Sequence, residues 1–600
     1  MGKNMSRRMI IDHYCFGILN HLLTTQDFKG KNFSSGNINV IDGTEKDLNF
    51  INKISEDIII YITKPDKKIF NVIIQTHIML KAMRPNIEEY IIFIPGENYD
   101  IIDYMTSNHI RGDLIIKNLN FDLIPIDIDL LSLERNNCLK EIYIENDLTS
   151  VGDLANSLVK LEMIFGKIKY KYIKGDVAET FCNMVKEKEK ENKLKIKDEI
   201  LGMIVMDRSV DFITLMTTNY TCEGLIDENL EINLGRIRVK ESILKENLSK
   251  SHNIINDKLI PFGLTTAYNP FYCTFRCMHY LDALKYINNI REHYQTIAVK
   301  SKDTSKKLSL DKIRELTEEI NYYMSSIKDN LIMNENIINY IIQPLRKGDY
   351  LNYIEKEQIM LSGGFPQNLH NYYEDYLCEQ KELIPLIRLM VLESLTQNGI
   401  KDYHKLKREI LNIYGYQNIF LFRDLEQLDW LKEKQILKSI KKNITTITFN
   451  QINEKLELIK NDNDPLKIED CSYVLGGYCP LSLRIIENAI EGKWGKIIEV
   501  LKRMPGNTSF PDDESVISNP EKNKNIIFII FIGGITYTEI EGIRYLNRKF
   551  NEENKNGKRK KTQFIILTTG ILNAKKVFGN LGKDVHSTLN IKQFYEQTKK

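Results

Sequence analysis

The chain opens on short isoleucine-rich runs separated by longer amphipathic stretches. Residues 38–41, 57–62 and 90–94 are apolar segments bounded by glycine, proline or charges, and 70–83 has the length and periodicity of a helix. Runs without strict alternation suit strands covered on both faces, so a parallel sheet wrapped by helices is expected. A second block of this kind starts near Leu123. Ser150 with Asp153 is the expected N-cap of a helix whose Leu154, Leu158, Leu161 and Phe165 share one face. The lysine-rich stretch 186–197 reads as a helix end running into a solvated linker, and 201–206 as another buried strand.

From about residue 240 to 460 the strand pattern fades. Leu310, Ile313, Leu316, Ile320, Met324, Ile327 and Leu331 recur at spacings of three or four, the pattern of an amphipathic helix of about six turns. Ile337, Ile338, Ile341 and Ile342 continue it, with Pro344 just beyond. Further helices are expected over 372–395 and 403–414, where Gly415 is a natural stop. The strand pattern then returns at 526–532. Gly533 and Gly534 turn the chain, Thr536 with Glu539 makes a capping box, and 564–567 is a last strand. This order predicts an α/β domain split by an all-α insertion.

Charge narrows the partners. With 83 basic and 81 acidic residues the net charge is +2, so no global field draws the chain onto nucleic acid or anionic lipid. The charged stretch 551–561 lacks interleaved aromatics and reads as a surface loop. The longest apolar run, 526–535, is about half of a bilayer span, so any membrane contact is expected to be peripheral. Residues 1–6 match the myristoylation pattern on Gly2, with Arg7 and Arg8 as a second, electrostatic signal; a chance match at a frayed end, or initiation at Met5, is the plainer reading. The nine cysteines include no CxxC pair. Cys273, Cys277 and His279 lack a fourth ligand, so the thiols are expected to be reduced and metal-free.

An α/β chain of this size invites a search for enzyme chemistry. It contains no phosphate-binding P-loop, and the turn after residues 38–41, Asp42-Gly43-Thr44-Glu45, lacks the glycines of a dinucleotide site. Neither a G-x-S-x-G elbow nor an H-E-x-x-H pair occurs. The helix start behind Gly533 and Gly534 could receive an anion, though glycines there more simply permit a tight turn. No catalytic residue and no cofactor is expected. A binding scaffold fits better than its rival, a nucleotide-dependent enzyme.

Residues 201–228, LGMIVMDRSVDFITLMTTNYTCEGLIDE, resemble the signature of the Sec/Munc (SM) family: a buried strand, Asp207-Arg208-x-x-Asp211, then Gly224 and Asp227 closing a helical stretch. The charges of Asp207, Arg208 and Asp211 read as structural, pairing to fix the chain's exit from the sheet. Four further segments are similar to the family's branch of vacuolar sorting proteins numbered thirty-three: 121–134, 407–416, 473–482 with Gly477, Tyr478 and Pro480, and 530–546 with Gly533 and Gly534. They occur in order along most of the chain. Leu215 stands where the family usually has proline, Cys222 where it has an aromatic, and 257–280 departs from the pattern.

The resemblance implies an arch-shaped SM fold. Its parts would be an α/β domain over 1–130, a discontinuous α/β domain over 131–240 and 465–600, and a helical domain over 241–464 with lobes 241–362 and 363–464. It implies a non-enzymatic scaffold that templates SNARE assembly in vesicle docking and fusion. Such a scaffold would sit peripherally on endosomal, vacuolar or lysosomal membranes, within a HOPS- or CORVET-like tethering complex. There its partner would be a helical-solenoid subunit of the vacuolar sorting protein sixteen type. Capture of a syntaxin in the Golgi or plasma-membrane branch is the alternative. By location in the hairpin near 312–357, Tyr322, Tyr323, Lys328 and Lys347 are candidate SNARE contacts.

Overall fold

The structure, a computed structural model, describes residues 6–22, 38–43, 48, 54–85, 87–94, 99–108, 110–119, 123–191, 199–244, 258–265, 269, 271–302, 310–346, 348–434, 447–460, 468–511, 524–553 and 561–582. Gly2 and most of the 551–561 stretch lie outside them. The chain forms two compact units, Met1–Ile126 and Asp127–Lys600.

The first unit is a five-stranded parallel sheet of β1 (Arg7–Asp12), β2 (Ile38–Ile41), β3 (Ile58–Thr63), β4 (Glu88–Phe93) and β5 (Ile115–Asn118), in the order β2-β1-β3-β4-β5. Ile59, Tyr61, Ile91 and Phe93 pack with Phe70 and Ile73 of the helix Lys67–Met83, while Met9, Ile11, Cys15 and Ile62 gather in a second cluster. Burial on both faces explains the near-continuous apolar runs. β1, hydrogen-bonded between β2 and β3, and the short edge strand β5 are the strands of this sheet that the hydrophobic pattern does not announce; β1 begins with two arginines. Arg8 is 8% exposed, and its guanidinium donates twice to Glu56, both at 2.8 Å, and once to Asn39 at 2.9 Å. In the same unit His77 Nδ1 lies 2.5 Å from Glu89, whose other oxygen accepts from Tyr61 at 2.8 Å.

The second unit begins as the chain passes β6 (Ile124–Asp127) and β7 (Leu130–Ser132). β8 (Lys167–Lys174) and β9 (Glu199–Asp207) come next, with β10 (Arg236–Lys240) and β11 (Leu259–Gly263) forming a small antiparallel pair. After a long helical stretch come β12 (Thr508–Ser509), β13 (Lys524–Ile532) and β14 (Gln563–Thr568). The main sheet contains the order β12-β8-β9-β13-β14-β7, parallel except for β12. β13 lies between β9 and β14, with Ile529 facing Ile204, so the returning chain fills the sheet's middle. That is an α/β fold interrupted by a long helical insertion, as expected, although β11 lies inside the stretch expected to be all-α and pairs back with β10.

Local differences have physical causes. The helix Thr149–Phe165 has Leu148 at its N-cap with no side-chain bond; Asp147 takes the Thr149 N–H at 2.8 Å instead, and Asp153 pairs with Arg135. The stretch 372–395 is two helices, Leu369–Cys378 and Leu383–Gln397, with Gln380 turning the chain at φ 52°. The helix Tyr403–Tyr414 ends at Gly415, as expected. The periodicity over 310–331 is broken by a π-helical turn, Tyr323–Ile327, between the helices Leu310–Tyr322 and Lys328–Ile342. The wider turn rotates the second helix relative to the first, so Met324 emerges 53% exposed while Ile327 and Leu331 stay buried.

Candidate functional site

The signature residues meet in the core of the second unit. Arg208, just past β9, donates to both oxygens of Glu539, at 2.6 and 2.8 Å, and to the Asp211 carbonyl. Asp211 accepts the Thr214 and Ser482 N–H groups at 3.0 and 3.2 Å, and the Ser482 hydroxyl donates to Glu539 at 2.6 Å. Glu539 also closes the capping box, accepting the Thr536 N–H at 3.0 Å. Its carboxylate therefore fills the helix start behind Gly533 and Gly534, and an external anion has no place there. Those glycines have φ 85° and 100°; a Cβ on Gly533 would lie 2.9 Å from Tyr143, and one on Gly534 2.3 Å from Leu572. Packing of a tight turn is their role.

The remaining signature positions are also structural. Asp207 accepts the Val177 and Ala178 N–H groups at 2.9 and 3.3 Å, holding the start of the helix Asp176–Glu191 against the end of β9. Asp227 binds Asn573 and Lys576, at 2.8 and 3.2 Å. Gly224 lies in the helix Cys222–Leu230 with its Cα side against Asn219. Tyr478 is buried beside Gly477, and Pro480 stands at the N-cap of the helix Leu481–Ile490. Each charged side chain in this set is met by internal hydrogen bonds.

The open surface lies on the helical insertion. The helices Tyr280–Lys302, Leu310–Tyr322 and Lys328–Ile342, with the π-turn, enclose a half-open cleft of about 580 Å³. Its wall is an aromatic stack, Tyr294 on Tyr323, with ring centroids 4.1 Å apart and planes 15° from parallel. Ile320, Met324 and Ile332 supply apolar lining; Lys328 and the Arg291–Glu335 ion pair supply polar edges. Of the four candidate contacts, Tyr323 and Lys328 thus come together on one cleft. The Tyr322 side chain and Lys347 lie outside the described residues. Arg291, Tyr294 and Glu335 are lining residues that the sequence did not single out, since they come from separate segments; Tyr294 and Tyr323 are 29 positions apart.

The insertion is held by buried polar ties. Glu357, on the helix Gly348–Leu361, accepts from the Thr218 N–H at 2.8 Å and its hydroxyl at 2.9 Å. Burial pushes that carboxyl up to about 7, with Arg388 and the Thr218 bonds opposing. Arg388, on the helix Leu383–Gln397, pairs with Glu228 and donates to the Met216 carbonyl at 3.2 Å. These contacts fix two insertion helices to the segment after β9; the cleft helix Lys328–Ile342 has its own ties, Asn334 accepting from the Asn269 amide at 2.9 Å and Asn336 donating to the Leu244 carbonyl at 3.0 Å.

The profile of the Sec1 family matches residues 7–580. The chain belongs to the Sec1 family. Among Sec1 relatives, vacuolar protein sorting-associated protein 33A of Rattus norvegicus is 26% identical over 530 residues, covering 86% of this chain and 85% of the relative. The vacuolar protein-sorting-associated protein 33 homolog of Arabidopsis thaliana is 25% identical over 483 residues, 77% of each chain. The Sec1 fold recurs in the Unc18–syntaxin 1 complex of Monosiga brevicollis, with a TM-score of 0.60 at 12% identity, covering 97% of this chain and 96% of that one. It recurs in the SM protein Vps45 in complex with the Qa SNARE Tlg2, with a TM-score of 0.58 at 13% identity and coverages of 97% and 94%.

The Cys273, Cys277 and His279 set does not form a ligand group among the described residues, whereas Asp470, Cys471 and Cys479 converge. No helix of the described residues is long and apolar enough to cross a membrane.

Proposed function

We propose that this chain is a SNARE-binding scaffold that holds SNARE helices on the cleft of its helical insertion and so promotes their assembly. The observation that carries this reading is the cleft itself: apolar lining, an aromatic wall, polar edges and an exposed Met324, with the cleft helix Lys328–Ile342 tied through Asn334 to Asn269 and through Asn336 to the Leu244 carbonyl. Isolated SNARE motifs face a costly helical nucleus and alternative registers. A rigid surface holding one in place makes the encounter with the next nearly intramolecular. Two structural relatives, Unc18 and Vps45, are seen in complex with syntaxin 1 and with the Qa SNARE Tlg2, which supports the partner class.

The names of the Sec1 relatives support vacuolar sorting as the setting of this activity, on endosomal, vacuolar or lysosomal membranes, within a HOPS- or CORVET-like complex. A helical-solenoid subunit of the sixteen type would then dock on the second helical lobe, 363–464. There Ile413, Tyr416, Ile419 and Phe420 are all exposed within one short stretch, an apolar patch of the kind that marks an interface. The division into 1–130, 131–240 with 465–600, and 241–464 belongs to the same proposal.

Binding of labelled SNARE-motif peptides from the vacuolar pathway tests the cleft. Met324→Asp with Lys328→Glu should weaken binding at least tenfold while Phe420→Asp leaves it unchanged. Full binding by the cleft variant overturns the assignment. Conversely, Phe420→Asp should abolish co-purification with the solenoid partner, and retention of that partner would count against the second surface.

A further inference from the structure

Two cysteines outside the cleft lining lie against each other. Cys471 begins the 3-10 turn Cys471–Leu475, and Gly476 and Gly477 both take left-handed backbone, at φ 65° and 120°, bringing Cys479 back over it. The turn is held by Gly477 N–H to the Ser472 carbonyl at 3.0 Å and Cys479 N–H to the Leu458 carbonyl at 2.6 Å. The two Sγ atoms are 2.9 Å apart, and both side chains are fully buried.

A metal is the first alternative, since Asp470 lies within reach of both sulfurs. Thiolates on tetrahedral zinc, with Zn–S bonds of about 2.3 Å, sit roughly 3.7 Å apart, wider than this pair. The charges are also already matched. Asp470 takes the Arg484 guanidinium on both oxygens, at 3.0 and 3.1 Å, and Glu487 binds Arg484 at 2.5 Å and Lys549 at 2.9 Å. A cation would have to displace those groups. A disulfide adds no charge, and its sulfurs, about 2.05 Å apart, ask each atom to move by roughly half an ångström.

We propose that Cys471 and Cys479 are a reversible dithiol–disulfide pair, oxidised by a low-molecular-weight disulfide of the glutathione type. One cysteine thiolate attacks that disulfide and expels a thiolate, giving a mixed disulfide; the second cysteine, losing its proton, attacks the protein sulfur and expels the other. Two protein thiols are oxidised and one small disulfide is reduced to two thiols. The hydrogen bond with Cys479 and burial both push the Cys471 thiol up, so exchange occurs while the turn is open and closure then seals the product. The crosslink would stiffen the seat of the helix Leu481–Ile490, whose Ser482 joins Asp211 to Glu539.

The test uses the full chain equilibrated with oxidised or reduced glutathione, then alkylated in denaturant and weighed intact and as peptides. After oxidation Cys471 and Cys479, two of the nine cysteines, should escape alkylation, and their peptides should be recovered crosslinked. Dithiothreitol should restore both. Exposed Cys378 should give only a glutathione adduct. Alkylation of Cys471 and Cys479 after oxidation, or adducts on either without a crosslink, overturns the proposal. So does one equivalent of zinc retained by the untreated protein in native mass spectrometry with both thiols protected. In Cys479→Ala the crosslink should vanish; the wild-type measurement decides the matter even if that variant does not fold.

Discussion

Arg208 and Glu539 form a buried bidentate pair across 331 positions of sequence, 1% and 0% exposed at their side chains. This joins the exit of β9 to the helix after β13, the two strands that make the middle of the sheet. Burial alone would raise the Glu539 carboxyl, yet the Arg208 guanidinium and the Ser482 hydroxyl hold it below the usual glutamate range. Removing one partner of such a pair strands the other charge in the core. Arg208→Met should therefore lose about 3–5 kcal/mol of stability in denaturant titration. Because the folded carboxyl titrates below its unfolded value of 4.5, this pair's contribution is present above that value and is lost as pH falls further. A loss under about 1 kcal/mol, where exposed pairs fall, would refute the assignment.

The sheet was legible because both faces of its strands are buried, leaving isoleucine runs such as that of β13 with no period to misread. The motif segments were legible for a related reason: Arg208, Asp211, Ser482, Thr536 and Glu539 need one another, so each type is dictated by contacts rather than by its local segment. β1 was not legible, since Arg8 reads as a tail charge until Glu56 is known to lie beside it. Nor was the π-turn, which no change in residue type marks and which alone moves Met324 from the expected apolar face to the surface. The cleft depends on which helices become neighbours. Periodicity says what face a helix buries but not against which partner, so Tyr294 and Arg291 carried no signal. Lys174 shows the same limit: its ammonium donates to the carbonyls of Leu501, Met504, Pro505 and Gly506, a role invisible from the strand it sits on.

In the first unit His77 offers a pH-dependent contact. Its hydrogen bond with Glu89 raises the imidazole above its ordinary value of 6.5; burial opposes this, the charges of Glu89 and Asp113 add to it, and Lys81 subtracts. For a base raised on folding, the stabilisation is complete below the unfolded value and disappears as pH climbs through the folded one. Amide protection of the helix Lys67–Met83 in the full chain should thus fall as pH rises above about 6.5. In His77→Gln that dependence should flatten. Equal dependence in both proteins would show that another group is responsible.

Glu357 has the opposite sign. Its carboxyl is raised by burial to about 7, so ionisation is disfavoured in the folded chain and stability declines as pH rises from about 4.5 toward 7. Glu357→Gln keeps an acceptor for Thr218 and removes the charge; urea titrations at pH 5 and pH 8 should show the decline in the wild type and little of it in the variant. Glu357→Ala should instead cost about 1–3 kcal/mol at both values, because the buried Thr218 N–H and hydroxyl lose their partner. A wild-type slope retained by Glu357→Gln would exclude Glu357 as its source.

The stack of Tyr294 on Tyr323 makes the cleft wall testable without any ligand. The rings belong to different helices, so their contact couples the helix Tyr280–Lys302 to the π-turn. A double-mutant cycle with Tyr294→Leu and Tyr323→Leu should return a coupling of about 0.5–1.5 kcal/mol, the range for aromatic pairs beyond simple burial. If the wall is also the surface that grips a helix, each single variant should weaken SNARE-peptide binding by at least as large a factor as it weakens folding. The double variant should then add little, because the second ring has already lost its support. Additive folding effects would mean that the rings act independently, and the wall would then be two separate side chains rather than one rigid face.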